Sequence, residues 1–238
     1  VESAAAFAPA EEKDLAIAFS QTPDAPRAFG YKTLWFAVKT SDPASVIDAL
    51  AFGEATPANW ETGLAAAYAH GGQKTPEAWA FVSPPIEGWV LAMSAQFPYP
   101  VAGDAHKGIG EKFDVIFSRL MKQFDDVQFF GSHRVVGFVT WARARNGEPV
   151  RIFGFTDGEV LANDGAQTAE EAQLGLTDLS GLSLVDACDK IFDTETFPDE
   201  GEVVELAGLW SIDPSLLSDQ DLPPGTGFVV RVPDDLTQ

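Results

Sequence analysis

The run VVGFVTWARAR (135–145), the pair NG (146–147) and the run VRIFGF (150–155) decide how this chain folds. Both runs are rich in β-branched and aromatic residues, which favour strands. Asn-Gly between them is the strongest short-range signal for a tight hairpin turn. The expectation is an antiparallel pair at the centre of a sheet. Side chains alternate across a strand, so Trp141, Arg143 and Arg145 share one face and Ala142 and Ala144 the other. Arg151 lies on the returning strand.

Upstream, Phe113, Ile116, Phe117, Leu120, Met121 and Phe124 recur on a helical period, with Lys112, Arg119 and Lys122 off the stripe. Val127–Phe130 reads as a strand. Ala78–Ser83 and Trp89–Gln96 flank Pro84-Pro85-Ile86-Glu87-Gly88 and read as a second hairpin. Leu34–Lys39 is nearly all apolar, as a central strand requires. Asp42-Pro43 then opens a helix, Asp42 as N-cap and Pro43 at its first position, with Val46, Ile47 and Leu50 buried. Asn59-Trp60 opens a short Ala-rich helix through Tyr68, ended by Gly71-Gly72. Leu15, Ile17 and Phe19 alternate as a short strand, and Phe97–Gly110 reads as a connector.

Downstream, Glu159–Ala162 adds a short strand, and Thr168 with Glu171 forms a capping box. Gly175–Phe197 reads as irregular and acidic. Glu202–Trp210 fits a helix. Phe228–Val232 is expected as a last strand at a sheet edge, because Pro233 ends it. The fold class is therefore α+β, a mostly antiparallel sheet flanked by helices. The element order further raises two similar α+β halves sharing a sheet. Residues 1–27 are read as an N-terminal extension, 28–216 as the α+β domain and 217–238 as a C-terminal segment with the edge strand.

Charge is unevenly spread. The 238 residues hold 36 acids against 15 Lys and Arg, a net of −21. From Asp157 onward there are 19 acids against Lys190 and Arg231 alone, a net of −17. A region of one sign is a field that selects partners. With a pI near 4.2, nucleic acid and anionic lipid are repelled. A basic protein is the natural counterpart. The 45% hydrophobic content, with 18 Phe and 6 Trp, is enough for a core. No apolar run approaches the ~20 residues of a membrane span, so membrane insertion is not expected. Cys188 is the single cysteine. It rules out an intrachain disulfide and reads as a small buried residue. It fits the cytoplasm, and the start at Val1 leaves the periplasm open.

Catalytic and cofactor motifs are lacking. Ser132 and His133 adjoin on a strand and point to opposite faces. The chain has no Gly-x-Ser-x-Gly elbow and no zinc-ligand spacing. The glycines of Gly103–Gly108 precede Ile109-Gly110 where a P-loop needs Lys-Ser/Thr. Asp186, Asp189, Asp193 and Glu195 lack EF-hand order and read as a solvated face. No cofactor and no metal are expected. Two features stand out as partner-binding candidates. Trp141 with Arg143 has a frequent interface composition, the alternative being a solvent face of ion-paired arginines. Trp60 either anchors a partner or holds its loop in the core.

Several segments together resemble a group of poorly characterised bacterial proteins associated with immunity proteins of toxin systems. They are Asn59-Trp60 with Gly63, Phe81–Pro85, Gly88–Leu91, Trp141–Ala144 with Asn146-Gly147 and Arg151, and Asp157–Leu161. Gly165 with Thr168 and Glu171, Leu174-Gly175, Leu206–Gly208 and Trp210–Pro214 complete the order. The resemblance spans roughly residues 34–216, implies a toxin as partner and carries over no assigned catalytic residues. Joined to the charge asymmetry, it leads to a non-enzymatic protein that blocks a toxin by direct binding. Asp199, Glu200, Glu202 and Glu205 would steer the partner, and Trp60 and the Trp141/Arg143 face would anchor it. A carboxylate-dependent hydrolase and an acidic structural protein of the cell envelope are the alternatives.

Overall fold

The computed structural model describes residues 18–69, 77–102 and 108–238. Among them one antiparallel sheet of nine strands runs β2-β9-β3-β4-β1-β5-β6-β7-β8. In chain order the strands are β1 (Thr33–Lys39), β2 (Ala55–Asn59), β3 (Trp79–Val82), β4 (Trp89–Ser94), β5 (Asp126–His133), β6 (Phe138–Arg145), β7 (Glu148–Thr156), β8 (Glu159–Gly165) and β9 (Thr226–Arg231). The helices are α1 (Pro43–Leu50), α2 (Trp60–Tyr68), α3 (Ile109–Met121), α4 (Ala169–Gln173), α5 (Leu184–Thr194) and α6 (Glu200–Trp210). The α+β class with helices on an antiparallel sheet is the observed one.

The Asn146-Gly147 turn takes φ of +52° and +82°, the left-handed pair a two-residue hairpin needs. It closes β6 on β7, with Trp141 opposite Phe153 and Arg143 opposite Arg151. Asp42 caps α1 by accepting from Ala44 N (3.0 Å), with Pro43 in the first turn. Asn59 caps α2 by accepting from Thr62 N (3.1 Å). Strand alternation sorts the apolar residues into two cores. Leu34, Phe36 and Val38 pack under α1 and α3, with Phe113, Ile116, Phe117 and Leu120 from the predicted stripe. Trp35 and Ala37 face the other way, into a core with Trp60, Phe81, Phe130, Trp141, Val203 and Trp210.

Four expectations change. The two groups of strands share the sheet but are wound differently, because β5–β8 form a simple meander while β9 interleaves in the first group. The last strand is not at an edge. β9 pairs with both β2 and β3, and Pro233 lies beyond it, so no ladder bond is lost. The edge strand at that end of the sheet is β2, which holds Pro57 and carried no β-branched pattern to announce it. Residues 134–136 form a 3-10 turn rather than the start of β6, with Gly137 in the left-handed region at φ +57°. Gly175–Phe197 contains a full helix, α5. The expected strand at Leu15–Phe19 lies mostly outside the described residues, as do Gly71-Gly72 and Gly103. Of that extension, Phe19 packs edge-on against Trp79 (5.4 Å), and Asp24 bridges to Gly225.

Candidate functional site

The chain after β8 folds back over one face of the meander as α4, α5 and α6. Two arginines on that face hold it there. Arg143, from β6, meets Asp126 of β5 through two bonds, Nη2–Oδ2 at 2.7 Å and Nε–Oδ1 at 3.3 Å. Its guanidinium lies 5.2 Å over the Trp210 ring at the end of α6, and Glu170 of α4 stands 3.9 Å away. Gln128 donates to Trp210 O (3.2 Å) and to Asp126 Oδ1 (3.2 Å). Arg151, from β7, pairs with Glu171 of α4 at 2.9 Å, and its Nη1 donates to Asn163 Oδ1 (2.9 Å) and Asp164 O (3.1 Å). Glu171 also accepts Trp141 Nε1 (2.8 Å) and closes the capping box by accepting from Thr168 N (2.7 Å). Buried charges persist where their donors and acceptors are satisfied, and these pairs meet that condition.

These facts correct the anchor assignment. Trp141 is 2% exposed and Arg143 4%. Both spend their polar groups on the protein's own sheet and on its α4 and α6 layer. Trp60 has no exposed surface and packs edge-to-face on Phe81 at 5.2 Å. A side chain without accessible area cannot meet a partner on the folded chain. Strand alternation placed Trp141 and Arg143 on one face, but only the packing of later helices showed that face to be interior.

The four acids do gather at α6, though two serve the helix itself. Asp199 accepts from Gly201 N (2.7 Å) and Glu202 N (3.3 Å), and Glu202 accepts from Asp199 N (2.8 Å), a second capping box. Their negative charge at an N-terminus also complements the helix dipole. Partial burial raises the Glu202 pKa above the usual carboxylate range, opposed by the capping bond and helped by Asp199 and Glu205. Glu200 lies 3.9 Å from Arg134. Glu205 is exposed on the helix.

A surface that sequence reading missed lies beside them. Val185 is 70% exposed, Phe192 50%, Phe197 46% and Val135 74%. Phe192 and Phe197 meet edge-on at 5.2 Å, and Phe197 reaches Phe155 at 6.2 Å. The Gly158 turn has room for the Phe192 ring only because it lacks a Cβ, which would sit 2.9 Å from Cζ. Next to them a groove of about 250 Å³ runs between Arg134 and Gly137 on one side and Pro198, Asp199 and Glu200 on the other. Along α5, Val185 and Phe192 are two turns apart on the outer side, while Ala187 and Ile191 are buried. Asp186, Asp189, Asp193 and Glu195 are all exposed around them. The available signal was Ser183 followed three residues later by Asp186, a helix start; Ser183 accepts from Asp186 N. Exposed aromatics inside a polar, charged rim are the composition of a protein-docking surface.

Ser132 Oγ donates to Gly30 O (3.3 Å), and Cys188 Sγ to Gly158 O (2.8 Å). Among the described residues no group of three or more His, Cys, Asp or Glu is placed to hold a metal ion. No helix among them is long and apolar enough to cross a membrane. In comparisons with protein families, curated proteins and solved structures, nothing matches this chain.

Proposed function

We propose that this protein binds a basic protein through the Phe192–Phe197 face and blocks it, as an immunity protein blocks a toxin. The observation that supports this reading most is the pairing of exposed aromatics with the densest acidic region of the chain. Aromatic anchors supply most of the binding energy of such interfaces. Surrounding charge raises the association rate and repels acidic competitors. The anchors move from Trp60 and Trp141 to Phe192, Phe197 and Val185. Asp199, Glu200, Glu202 and Glu205 keep the steering role, with Asp186, Asp189 and Asp193 beside them. The buried Arg143 and Arg151 pairs hold the layer that presents the face, which lowers the ordering cost of binding. A cytoplasmic setting, where a producing cell meets its own toxin, accords with this reading.

The test is capture from source-organism lysate at low and high salt, wild type beside two variants. Phe192→Ser with Phe197→Ser removes the anchors. Glu200→Lys with Glu205→Lys reverses charge and spares the Asp199–Glu202 cap. The expected result is one basic protein held by wild type at low salt and weakened at high salt. It should be lost with the first variant, since losing a hot spot of about 2 kcal/mol lowers affinity roughly thirtyfold. The second variant should slow association and flatten its salt dependence. Retention equal in all three proteins sinks the proposal.

A further inference from the structure

The layer over β6, β7 and β8 is not held uniformly. α6 buries Val203, Val204, Leu206, Ala207 and Trp210 among its eleven residues, and Trp210 lies over the Arg143 guanidinium. α5, of the same length, buries only Ala187 and Ile191. A segment with few buried apolar contacts opens at a lower free energy than the rest of its fold. The Arg143 and Arg151 pairs order α4 and α6, and neither pairs with a residue of α5. That helix is tied instead by scattered polar bonds. Lys190 Nζ donates to Asp178 O at 2.6 Å, Thr194 Oγ1 lies 3.3 Å from Thr177 Oγ1, and Cys188 Sγ donates to Gly158 O. The first two are exposed.

Charge works against the same helix. Asp186 sits in the first turn, where it complements the helix dipole. Asp189 follows three residues on and Asp193 four beyond that, spacings at which like charges repel along a helix. Asp193 stands in a last turn that holds no base, against the dipole, and Glu195 follows at the cap. All four acids are exposed, and Lys190 is the only cation on the helix. Each end has a joint that can absorb a change of direction. Gly181 has φ +71° and no atom within 4 Å of where a Cβ would stand, and Glu195 has φ +51°.

We propose that α5 is a lid sprung by its own charge: it opens without the rest of the fold and closes when a polycation covers its acidic face. Opening withdraws Ile191 from the narrow cavity it lines with Trp141, Phe153 and Leu179. It also carries Phe192 away from the Gly158 turn and so takes the docking face apart. A polycation that binds the closed form better than the open one shifts the population to closed. The face is then completed by the charge it recognises. The partner's part in this rests on the protein-binding reading, and the opening itself does not.

Amide hydrogen exchange of the full chain, followed by NMR at fixed pH, tests both parts. The amides of Ala187–Thr194 should exchange about a hundredfold faster than those of Val203–Trp210. Their rates should respond little to dilute urea, because local opening exposes little surface. Sodium chloride should slow α5 roughly threefold by screening the like charges and leave α6 unchanged. Spermine should do the same at a far lower concentration. Asp189→Asn with Asp193→Asn should reproduce the slowing without salt, and Lys190→Ala should speed exchange. All three positions are exposed, so the variants should fold. Equal protection and equal urea dependence in α5 and α6 overturns the lid, as does α5 exchange indifferent to salt, spermine and the Asn variant. A lid that answers to spermine in a protein that captures nothing from lysate stands while the partner reading fails. Capture of a basic protein with α5 opening only on global unfolding has the reverse meaning.

Discussion

The two ends of the same sheet face are covered by different physics. At the β2-β9-β3 end, α2 seals the sheet face through apolar side chains, with no buried ion pair there among the described residues. Trp60, Leu64, Ala66 and Ala67 lie against Phe81, and Gly63 sits so close that a Cβ there would be 2.2 Å from the Phe81 ring. At the β6-β7-β8 end, α4 and α6 close over buried charge: Arg151 pairs with Glu171 of α4, and Arg143, paired with Asp126 of β5, lies under the Trp210 ring of α6. The difference follows from what must be covered. An all-apolar strand face needs only shape. A face with two arginines needs carboxylates, because an unpaired buried charge is very unfavourable. The acidic final third therefore does two jobs. A few carboxylates neutralise the sheet arginines, and the remainder face outward.

Breaking one partner should show the largest contrast. Glu171→Ala strands the Arg151 charge, leaves Trp141 Nε1 without an acceptor and opens the Thr168 capping box. Denaturant unfolding should register a loss of about 3–5 kcal/mol. Arg151→Met together with Glu171→Leu should recover the part due to the stranded charge, since an apolar pair of similar volume is often neutral, while the Trp141 and capping bonds stay lost. If the double variant stays as unstable as the single one, the charge account of this end is wrong.

At the apolar end, Gly63→Ala should cost about 1–3 kcal/mol by overpacking. Phe81→Leu should relieve part of that, and the effect should not depend on salt. A Gly63→Ala protein as stable as wild type would mean that α2 is free to move off the sheet.

The smallest expected effect is a pH response at α6. Glu202 has a raised pKa in the folded state, so between its unfolded and folded values the folded protein binds more protons than the unfolded. Stability then falls as pH rises through that window. Glu202→Gln keeps a side chain that can close the capping box and removes the ionisation. Its thermal midpoint should lose that part of the decline as pH rises above the ordinary glutamate value of about 4.3. Parallel curves for the two proteins would refute the assignment.

Much of the fold was legible because local chemistry decides it. Asn146-Gly147 admits the left-handed turn, so β6 and β7 pair. Asp42-Pro43, Asn59 and Thr168 cap helices at positions that adjacent residues announce. Two elements, and the position of a third, escaped for a common reason. β2 is an edge strand whose Pro57 hides it, α5 is acidic with a narrow buried stripe, and β9 gained its place by inserting between β2 and β3. Each is stabilised by neighbours remote in the chain rather than by its own propensity. The candidate site was less legible still. Trp60, Trp141 and Arg143 are residue types common at interfaces, but their composition does not say whether they face partner or interior.

The sequence by itself determined the α+β class, the central hairpin, the helix caps and the concentration of acid from Asp157 onward, because turns, caps and charge are properties of adjacent residues. Tertiary structure alone decided which charges became interior. Arg143 and Arg151 are buried because a layer formed later in the chain brings them Glu170 and Glu171 and closes with Trp210. It also decided which aromatics stayed outside: Phe192 and Phe197 lie on the outer side of α5 and the turn after it, because Ala187 and Ile191 take the inward positions. Burial is a property of pairs of surfaces, and a chain reveals it only once both are in place.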